Sequence, residues 1–437
     1  MTLQASPQDA GWAFAEHDAA GFGAALTGLL GSLTATPRLL GLGEPMHGEE
    51  EFPRLRNQAF AHLVEREGYR SIAIESDCLV ALTVDVFVTE GEGSLDEVMG
   101  TGFSHGFGDV EANRELVTWM RAHNRTRAAA DRLRFYGFDA PLEMMFAHSP
   151  RHALTALHAY LAGNLDGALL PCTVDTIDDL VGDDDRWTNP AAAMDPSQSI
   201  GGSKEAGRLR LVADDLVAVL IAESPRLIAA TSRDAWWRAR LHGRTATGLL
   251  RYHAGMAGMS TSRVARLLGL RDAMMAGNLD AIVAREAQRG PTLVFAHNRH
   301  LQKDPSTWQL QDLALEWWSA GAIIGAHLDD RYAFLATALG AAPHQGLDAP
   351  GQDTLEGVLC ALPGQRYVFN AARLTAALSG VTPRLTLRTD TSTNHGYFAL
   401  DPAHLHETDG VVFIKDIAPD SGRTPATSPG ADAPQRQ

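Results

Sequence analysis

Four short apolar runs, each followed by an ionisable residue, constrain the fold of this chain more than any other feature. They are residues 38–43 before Glu44, 70–74 before Glu75, 134–138 before Asp139 and 292–296 before His297. Runs this short and apolar are typical of buried parallel strands. The segment 51–67 between the first two runs has the length and mixed polarity of one helix. This alternation predicts an α/β fold, with a mostly parallel sheet flanked by helices.

The middle of the chain has a different pattern. Residues 141–290 are rich in Ala, Leu and Arg with helical spacing, which predicts a large inserted helical subdomain or lid. The tail is rich in Pro, Ser, Gly and Ala, so we expect it to be disordered. Further strands are predicted at residues 367–370, 385–388 and 411–414. The resulting division is a first part of the α/β core at 1–140, the helical insertion at 141–290, a second part of the core at 291–417 and the tail at 418–437.

Composition restricts the partners. The formal net charge is −16, which argues against binding of nucleic acid or of anionic membrane surfaces. Three widely spaced cysteines, no secretory signal pattern and no apolar run of membrane-spanning length predict a cytoplasmic protein. We therefore expect a small-molecule substrate, no nucleic acid or membrane partner, and a monomer or homodimer.

The residues that follow the four runs suggest a common site. Ligands of open α/β sheets bind beyond the carboxyl ends of the strands, where Glu44, Glu75, Asp139 and His297 would meet. Each residue alone could simply cap the next helix, but four together favour a functional role. His47 lies three residues after Glu44, and a carboxylate beside an imidazole suits a general base. Arg56 could point back to the same edge and stabilise an oxyanion.

A second histidine pair, His297 and His300, follows the last of these runs. The spacing could chelate a metal together with His47 and Glu75, or it could supply donors to a developing oxyanion. Both interpretations stay open on the sequence.

Two partial motifs carry less weight. The segment GLGEPMHGEEEF, residues 41–52, has Met46 where a dinucleotide-binding loop needs its third glycine. The sequence Gly102-Phe103-Ser104-His105-Gly106 matches G-x-S-x-G, but a polar stretch precedes it where a nucleophile elbow needs a buried strand. A Ser104 hydrolase is therefore a weak alternative. Acidic neighbours indicate that Cys78 is structural.

These residues together resemble the erythromycin esterase family. The shared motifs are GLGE-x-x-HG-x-x-EF-x-x-x-R at 41–56, IAIE at 72–75, FYGFD at 135–139, RDxMMxxNL at 271–279 and AHNxHxQK at 296–303. The resemblance implies hydrolysis of a macrolide lactone by water attack, without a cofactor and without a covalent intermediate. It implies that His47 is the general base beside Glu44, and that Arg56, Glu75, His297 and His300 complete the catalytic set. We also expect His105, Phe107, Asp139 and Asn298 to contact the substrate.

The chain departs from the family pattern in ways that bear on the substrate. Residues 105–108, His-Gly-Phe-Gly, stand where the family often has tryptophans, and Asp329-Asp330-Arg331 replaces a stretch that usually contains glycine. The expected function is therefore opening of a macrolide-type lactone or related ester, for antibiotic inactivation or natural-product tailoring. The alternatives are a non-hydrolytic biosynthetic step such as elimination or ring formation, a metal-dependent hydrolase, or a binding protein, since the related superfamily resembles a haem-binding scaffold.

Overall fold

A computed structural model describes residues 6–143, 146–310, 312–379, 384–389 and 396–418. Its strands are β1 (Gly11–Phe14), β2 (Leu39–Glu44), β3 (Ser71–Asp77), β4 (Arg134–Asp139), β5 (Leu142–Glu143), β6 (Phe146–Ala147), β7 (Thr292–His297), β8 (Pro305–Leu310), β9 (Leu313–Trp318), β10 (Tyr332–Ala341), β11 (Arg366–Asn370) and β12 (Gly410–Asp416).

The helices alternate with these strands, except for a long helical stretch between β6 and β7. They are α1 (Ala19–Leu30), α2 (Glu51–Arg66), α3 (Ala81–Thr89), α4 (Leu95–Thr101), α5 (Glu111–Asn124), α6 (Arg151–Ala162), α7 (Val174–Val181), α8 (Lys204–Ala222), α9 (Ser224–Ala230), α10 (Arg233–Met256), α11 (Arg263–Glu286), α12 (Asn298–Leu301), α13 (Ala320–Leu328), α14 (Leu355–Cys360) and α15 (Ala371–Leu378).

Eight of the strands form one sheet in the order β1-β11-β12-β10-β2-β7-β3-β4. The strands from β12 to β4 pair in parallel, and β11 and β1 add antiparallel neighbours at one edge. Apolar side chains of α1, α2, α3 and α5 pack on one face of the sheet. Side chains of α10, α11 and α13 pack on the other face. The prediction of a mostly parallel α/β sheet flanked by helices is confirmed.

Most of the individual strand predictions are also confirmed. The four runs that end in ionisable residues are β2, β3, β4 and β7, and the later runs at 367–370 and 411–414 lie within β11 and β12. The prediction of a strand at 385–388 is wrong. Within this segment, only Thr386 forms a bridge, an isolated one to Thr354. The guanidinium of Arg388 instead donates to the carbonyl oxygens of Leu339 and Gly340.

A strand at the centre of the sheet, β10, was not predicted. Its sequence, YAFLATALGA, is a continuous apolar run next to the equally apolar helix α13. A buried strand and a buried helix cannot be told apart by periodicity when every position is apolar. The hairpin of β8 and β9, a separate two-stranded sheet, was not predicted either.

The helical stretch between β6 and β7 has two roles in packing. Helices α6 to α8 share an apolar cluster of their own with part of α10. By contrast, Trp237 and Leu241 of α10 and Met275 and Leu279 of α11 belong to the cluster that covers the sheet.

The division into core, insertion and tail stays a prediction, and the tail from residue 419 onward lies outside the described residues. Within the described part of the chain, no helix has the length and apolar character that crossing a membrane requires.

Candidate active site

The carboxyl ends of the parallel strands bring the predicted residues together. Glu44 at the end of β2 pairs in register with His297 at the end of β7. On the other side of β7, strand β3 carries Glu75, and β4 ends at Asp139 beside it. Three of these four side chains are carboxylates buried at one edge of the sheet. Carboxylates this close require positive partners, because their mutual repulsion is strong in a water-poor environment.

His47 lies in the loop between β2 and α2, and Glu44 orients its ring. His47 Nδ1 is 2.6 Å from Glu44 Oε1, and the His47 side chain is 43% exposed. The other ring nitrogen, Nε2, is 3.9 Å from Glu75 Oε1, which is beyond hydrogen-bond distance. A Nδ1–H donated to Glu44 leaves a basic Nε2 directed toward Glu75.

The electrostatics of this pair follow from burial and from the neighbouring carboxylates. Burial raises the pKa of Glu44, although its hydrogen bond to His47 acts in the opposite direction. Burial alone would lower the pKa of His47, but the carboxylates of Glu75 and Glu44 outweigh it and raise that pKa above the ordinary value. The pair therefore holds a proton more tightly than a free histidine does.

Glu75 is the centre of the site. Its Oε1 is 3.3 Å from His300 Nε2 and 3.3 Å from Arg271 Nη2, and its Oε2 accepts the backbone N–H of His297 at 2.9 Å. Burial acts to raise the pKa of Glu75, but the charges of His300, His47 and Arg271 hold it well below the usual range. Glu75 is thus a buried, fully ionised carboxylate.

His300 is held between two carboxylates. Its Nδ1 is 2.7 Å from Asp272 Oδ1, opposite the contact of its Nε2 with Glu75. Burial would lower the pKa of His300, but Asp272 and Glu75 raise it to about 10. Asp272 also accepts hydrogen bonds from the indole of Trp317 on β9 and from the backbone N–H of Ala320. His300 is therefore positively charged at neutral pH.

Arg271 and Asp272, adjacent on α11, complete this network and were not assigned to the site from the sequence. Arg271 donates to both carboxylate oxygens of Asp139, the closest contact being 2.6 Å from Nη2 to Oδ2. Arg271 counteracts the burial of Asp139 and lowers its pKa. Both residues belong to the motif RDxMMxxNL at 271–279, but adjacent opposite charges on a helix are usually solvent-exposed. Their position inside this motif was the available signal.

Three of the four residues expected to contact the substrate lie together beside this network. His105 Nε2 is 3.0 Å from Asp139 Oδ2. The ring of Phe107 packs edge-on against both His47 and His105, with centroid distances of 5.6 and 5.8 Å. Phe107 thus contacts both histidines.

Arg56 and Asn298, which were also expected at the site, are buried and hydrogen-bonded within the protein. Arg56 is 1% exposed, and its guanidinium donates to the side chains of Asn57 and Asn113 and to the carbonyl of Ala112. Burial lowers the pKa of Arg56 to about 10, and Glu44 is among the carboxylates that act against this. Asn298 is buried and bonds to both backbone groups of Thr337 on β10. A direct role for Arg56 or Asn298 stays a prediction.

His297 is also fully engaged by the protein. Its Nε2 is 3.1 Å from the carbonyl oxygen of Pro45 and 3.3 Å from that of Gly396, and its Nδ1 accepts the backbone N–H of Arg299. Burial lowers the pKa of His297 to about 3, so the ring is neutral and Nε2 carries the proton. His297 thereby connects the loop that carries His47 to the segment at residue 396.

Comparisons with known proteins identify the family of this chain. The model of the family described as erythromycin esterase matches residues 64–417. The chain belongs to the erythromycin esterase family. An erythromycin esterase type I from Escherichia coli is 23% identical over 332 residues, which cover 71% of each chain. Membership of this family supports a hydrolase of macrolide-like esters.

Solved structures share the fold at lower identity. A Bacillus cereus protein has a TM-score of 0.69 with 16% identity, covering 95% of this chain and 97% of its own. A succinoglycan biosynthesis protein has a TM-score of 0.65 with 14% identity, covering 96% and 98%. A mutant of the erythromycin esterase EreC in its open conformation has a TM-score of 0.62 with 18% identity, covering 91% and 94%. At these identities the likeness concerns the fold alone.

Ser104 and Cys78 have structural roles in this member of the erythromycin esterase family. The helix α4 and a short loop precede Ser104, so the strand that a nucleophile elbow needs is not there. Ser104 Oγ accepts the backbone N–H of Asp77, which fastens its loop to the end of β3. Cys78 is buried beside Thr245, and burial raises its pKa to about 12. Among the described residues, no group of three or more His, Cys, Asp or Glu side chains has the arrangement to hold a metal ion.

Proposed function

We propose that this protein hydrolyses a macrolide-type lactone or a related ester by attack of water, with His47 as the general base. The observation that carries the proposal is the 2.6 Å contact between His47 Nδ1 and Glu44 Oε1, with the half-exposed ring directing Nε2 toward Glu75. The same pair is oriented as a general base requires, by a buried carboxylate that fixes the tautomer. Antibiotic inactivation and natural-product tailoring are both compatible with such a reaction.

Water needs activation because it is a weak nucleophile. In the proposed step His47 Nε2 takes a proton from water while the water oxygen attacks the ester carbonyl. The Glu44 carboxylate stabilises the imidazolium that forms, as the acidic partner of a catalytic histidine does in other hydrolases. Glu75, 3.9 Å from Nε2, is placed to accept a second hydrogen bond from the attacking water.

Negative charge develops on the ester carbonyl oxygen and needs a positive environment. We assign this role to the N–H groups of His300 and Arg271, the two cations that contact Glu75 Oε1 and whose side chains are largely buried. Fixed charges in a water-poor cleft stabilise a developing oxyanion more than solvated charges do. Phe107 gives the cleft an apolar surface for the substrate.

The test is hydrolysis of a panel of macrolides and smaller lactones by the wild type and by His47→Gln. We expect wild-type product to be heavier by one water, and the variant to lose about 10²- to 10⁴-fold in kcat/KM, the usual contribution of a general base. His327→Gln is the matched control, because His327 also contacts a carboxylate, Asp280 at 2.9 Å, but on the surface. It should keep wild-type activity.

Mass spectrometry separates the outcomes. Full activity in His47→Gln would remove His47 as the base while leaving the hydrolase assignment intact. A product of unchanged mass, or one that has lost water, would replace hydrolysis with ring formation or elimination. Binding of the lactones without turnover by the wild type would contradict the proposed function altogether.

A further inference from the structure

Beyond His47, the cleft contains a second histidine–carboxylate pair that the proposed mechanism does not use. His105 Nε2 is 3.0 Å from Asp139 Oδ2, and the His105 side chain is 17% exposed. Its other nitrogen, Nδ1, is 3.8 Å from Glu143 Oε1, beyond hydrogen-bond distance. A protonated His105 would therefore have a carboxylate near each nitrogen, with its Nδ1–H available to a ligand.

The backbone holds His105 in a conformation that costs energy. Its φ is +58°, in the left-handed region that residues other than glycine seldom adopt. The neighbouring Ser104 fixes this turn, because its N–H donates to Ser76 Oγ and its Oγ accepts from Asp77 N. A strained backbone that is fixed in place beside the carboxyl ends of the strands indicates that the position of His105 matters for function.

His105 and His47 are neighbours through one side chain, since both rings pack edge-on against Phe107. Each ring is oriented by a carboxylate at the end of a parallel strand: Glu44 of β2 for His47 and Asp139 of β4 for His105. Two such pairs facing one substrate suit a reaction in which one proton is removed and another is delivered.

We propose that His105 is the general acid that protonates the leaving alkoxide of the ester, an assignment that rests on the proposed hydrolase function. The carbon–oxygen bond to water forms while His47 takes the water proton, and the bond to the alcohol oxygen breaks while His105 Nδ1 delivers a proton to it. Proton return from His47 to His105 through solvent restores both groups. The overall reaction converts the ester and one water into a carboxylic acid and an alcohol.

A general acid matters only when the leaving group is a poor one. An alkoxide needs a proton as it leaves, whereas p-nitrophenolate is stable without one. The experiment compares ethyl butyrate with p-nitrophenyl butyrate, and also a lactone that the wild type opens, in wild type and His105→Asn. Asparagine tolerates positive φ and can still donate to Asp139, but it cannot transfer a proton.

We expect His105→Asn to lose about 10²-fold or more in kcat on the ethyl ester and the lactone, and less than about three-fold on the p-nitrophenyl ester. His17→Asn is the control, because His17 also has a positive φ, of +59°, and its side chain is 87% exposed. It should match the wild type on all three substrates.

The alternative outcomes are distinct. Equal losses on both ester types, or no loss on the alkyl ester, would overturn the role of His105 while leaving the hydrolase function in place. Absence of hydrolysis by the wild type would overturn both proposals. If His105→Asn does not fold, His105→Gly serves instead. Added imidazole should then restore activity on the alkyl ester alone, and equal or absent rescue on both esters would count against the proposal.

Discussion

At the scale of single residues, the protonation of His47 decides when the site can act as a base. A general base must be neutral before it accepts a proton, and both Glu75 and Glu44 raise the pKa of His47 above its ordinary value. The acidic limb of the kcat/KM profile should therefore lie above pH of about 6.5, the pKa of an unperturbed histidine. Each carboxylate that contributes to this shift can be tested separately.

Replacing Glu44 by Gln should move that limb to lower pH. The variant loses the negative charge beside Nδ1, so the pKa of His47 falls and the ring stays neutral in more acidic solution. The plateau rate should also fall, by about 10²-fold, because the imidazolium formed in the reaction loses its partner. Both quantities come from kcat/KM measured between about pH 5 and 9, a range that spans the titration of histidine.

The control for this variant is Glu49→Gln in the same loop. Glu49 is also buried, but its carboxylate contacts His344 and Gln345 instead of His47. Its profile should keep the wild-type midpoint. An acid limb that stays in place in Glu44→Gln, or that moves to higher pH, would contradict the proposed origin of the shift.

At the scale of elements, the site depends on how closely β2 approaches the start of α12. A Cβ at Gly43 would lie 2.2 Å from Asn298 Oδ1 and 3.1 Å from Asn298 Cα. Asn298 cannot move freely, because its side chain also bonds to Thr337 on β10. The absence of a side chain at Gly43 therefore sets the spacing among three adjacent strands, next to Glu44 and His297.

Gly43→Ala should accordingly reduce both stability and activity. We expect the free energy of unfolding to fall by about 1–3 kcal/mol, the usual cost of overpacking. Activity should fall further, to about 10⁻² of wild type, since displacement of a catalytic group by about 1 Å has that effect. Urea unfolding and kcat/KM on an accepted ester are the measurements.

A second glycine variant separates crowding from the loss of glycine itself. Gly100 lies in α4, where an added Cβ meets nothing within 4 Å. Gly100→Ala should keep full activity and should gain up to about 1 kcal/mol, because alanine is the better helix former. Wild-type stability and activity in Gly43→Ala would show that the strands have room that the structure does not indicate.

At the scale of the whole molecule, the sequence predicted the strands that carry the site better than the contacts between them. Residues at the carboxyl ends of β2, β3, β4 and β7 could be assigned to one side of the sheet because parallel strands all end on the same side. The charges that stabilise them come from α11, about 130 residues or more away from Glu75 and Asp139 in sequence. Periodicity indicates which face of a helix is apolar, but not which strand end that face meets.

The same limit applies to individual roles. His47 and Glu44 are three residues apart, so their contact follows from local geometry. Arg56 and His297 were expected among the catalytic groups, which stays a prediction; some of their hydrogen bonds are made to distant partners, among them Asn113 and Gly396 respectively. Only tertiary structure determines whether a polar side chain faces the cleft or is satisfied inside the protein.

The charge network should also affect the stability of the whole chain. His300 lies between Asp272 and Glu75, with a pKa raised to about 10 in the folded protein against about 6.5 in the unfolded chain. Below pH 6.5 both states bind the proton, and the stabilisation is fully present. As the pH rises the unfolded chain releases the proton first, so the stabilisation decreases and is lost as the pH passes through about 10.

His300→Gln should remove this dependence on pH. Measured from about pH 7 to about pH 10, the difference in free energy of unfolding between wild type and variant should be largest at the lowest pH and should shrink as the pH rises, by no more than about 1.4 kcal/mol per pH unit. Urea unfolding at successive pH values measures this difference.

His253→Gln is the control, because burial lowers the pKa of His253 to about 4 and leaves it neutral throughout this range. Its difference from wild type should stay constant with pH. A constant difference for His300→Gln as well would mean that His300 is not held as a cation between the two carboxylates. Arg271 would then be the cation that stabilises the developing oxyanion.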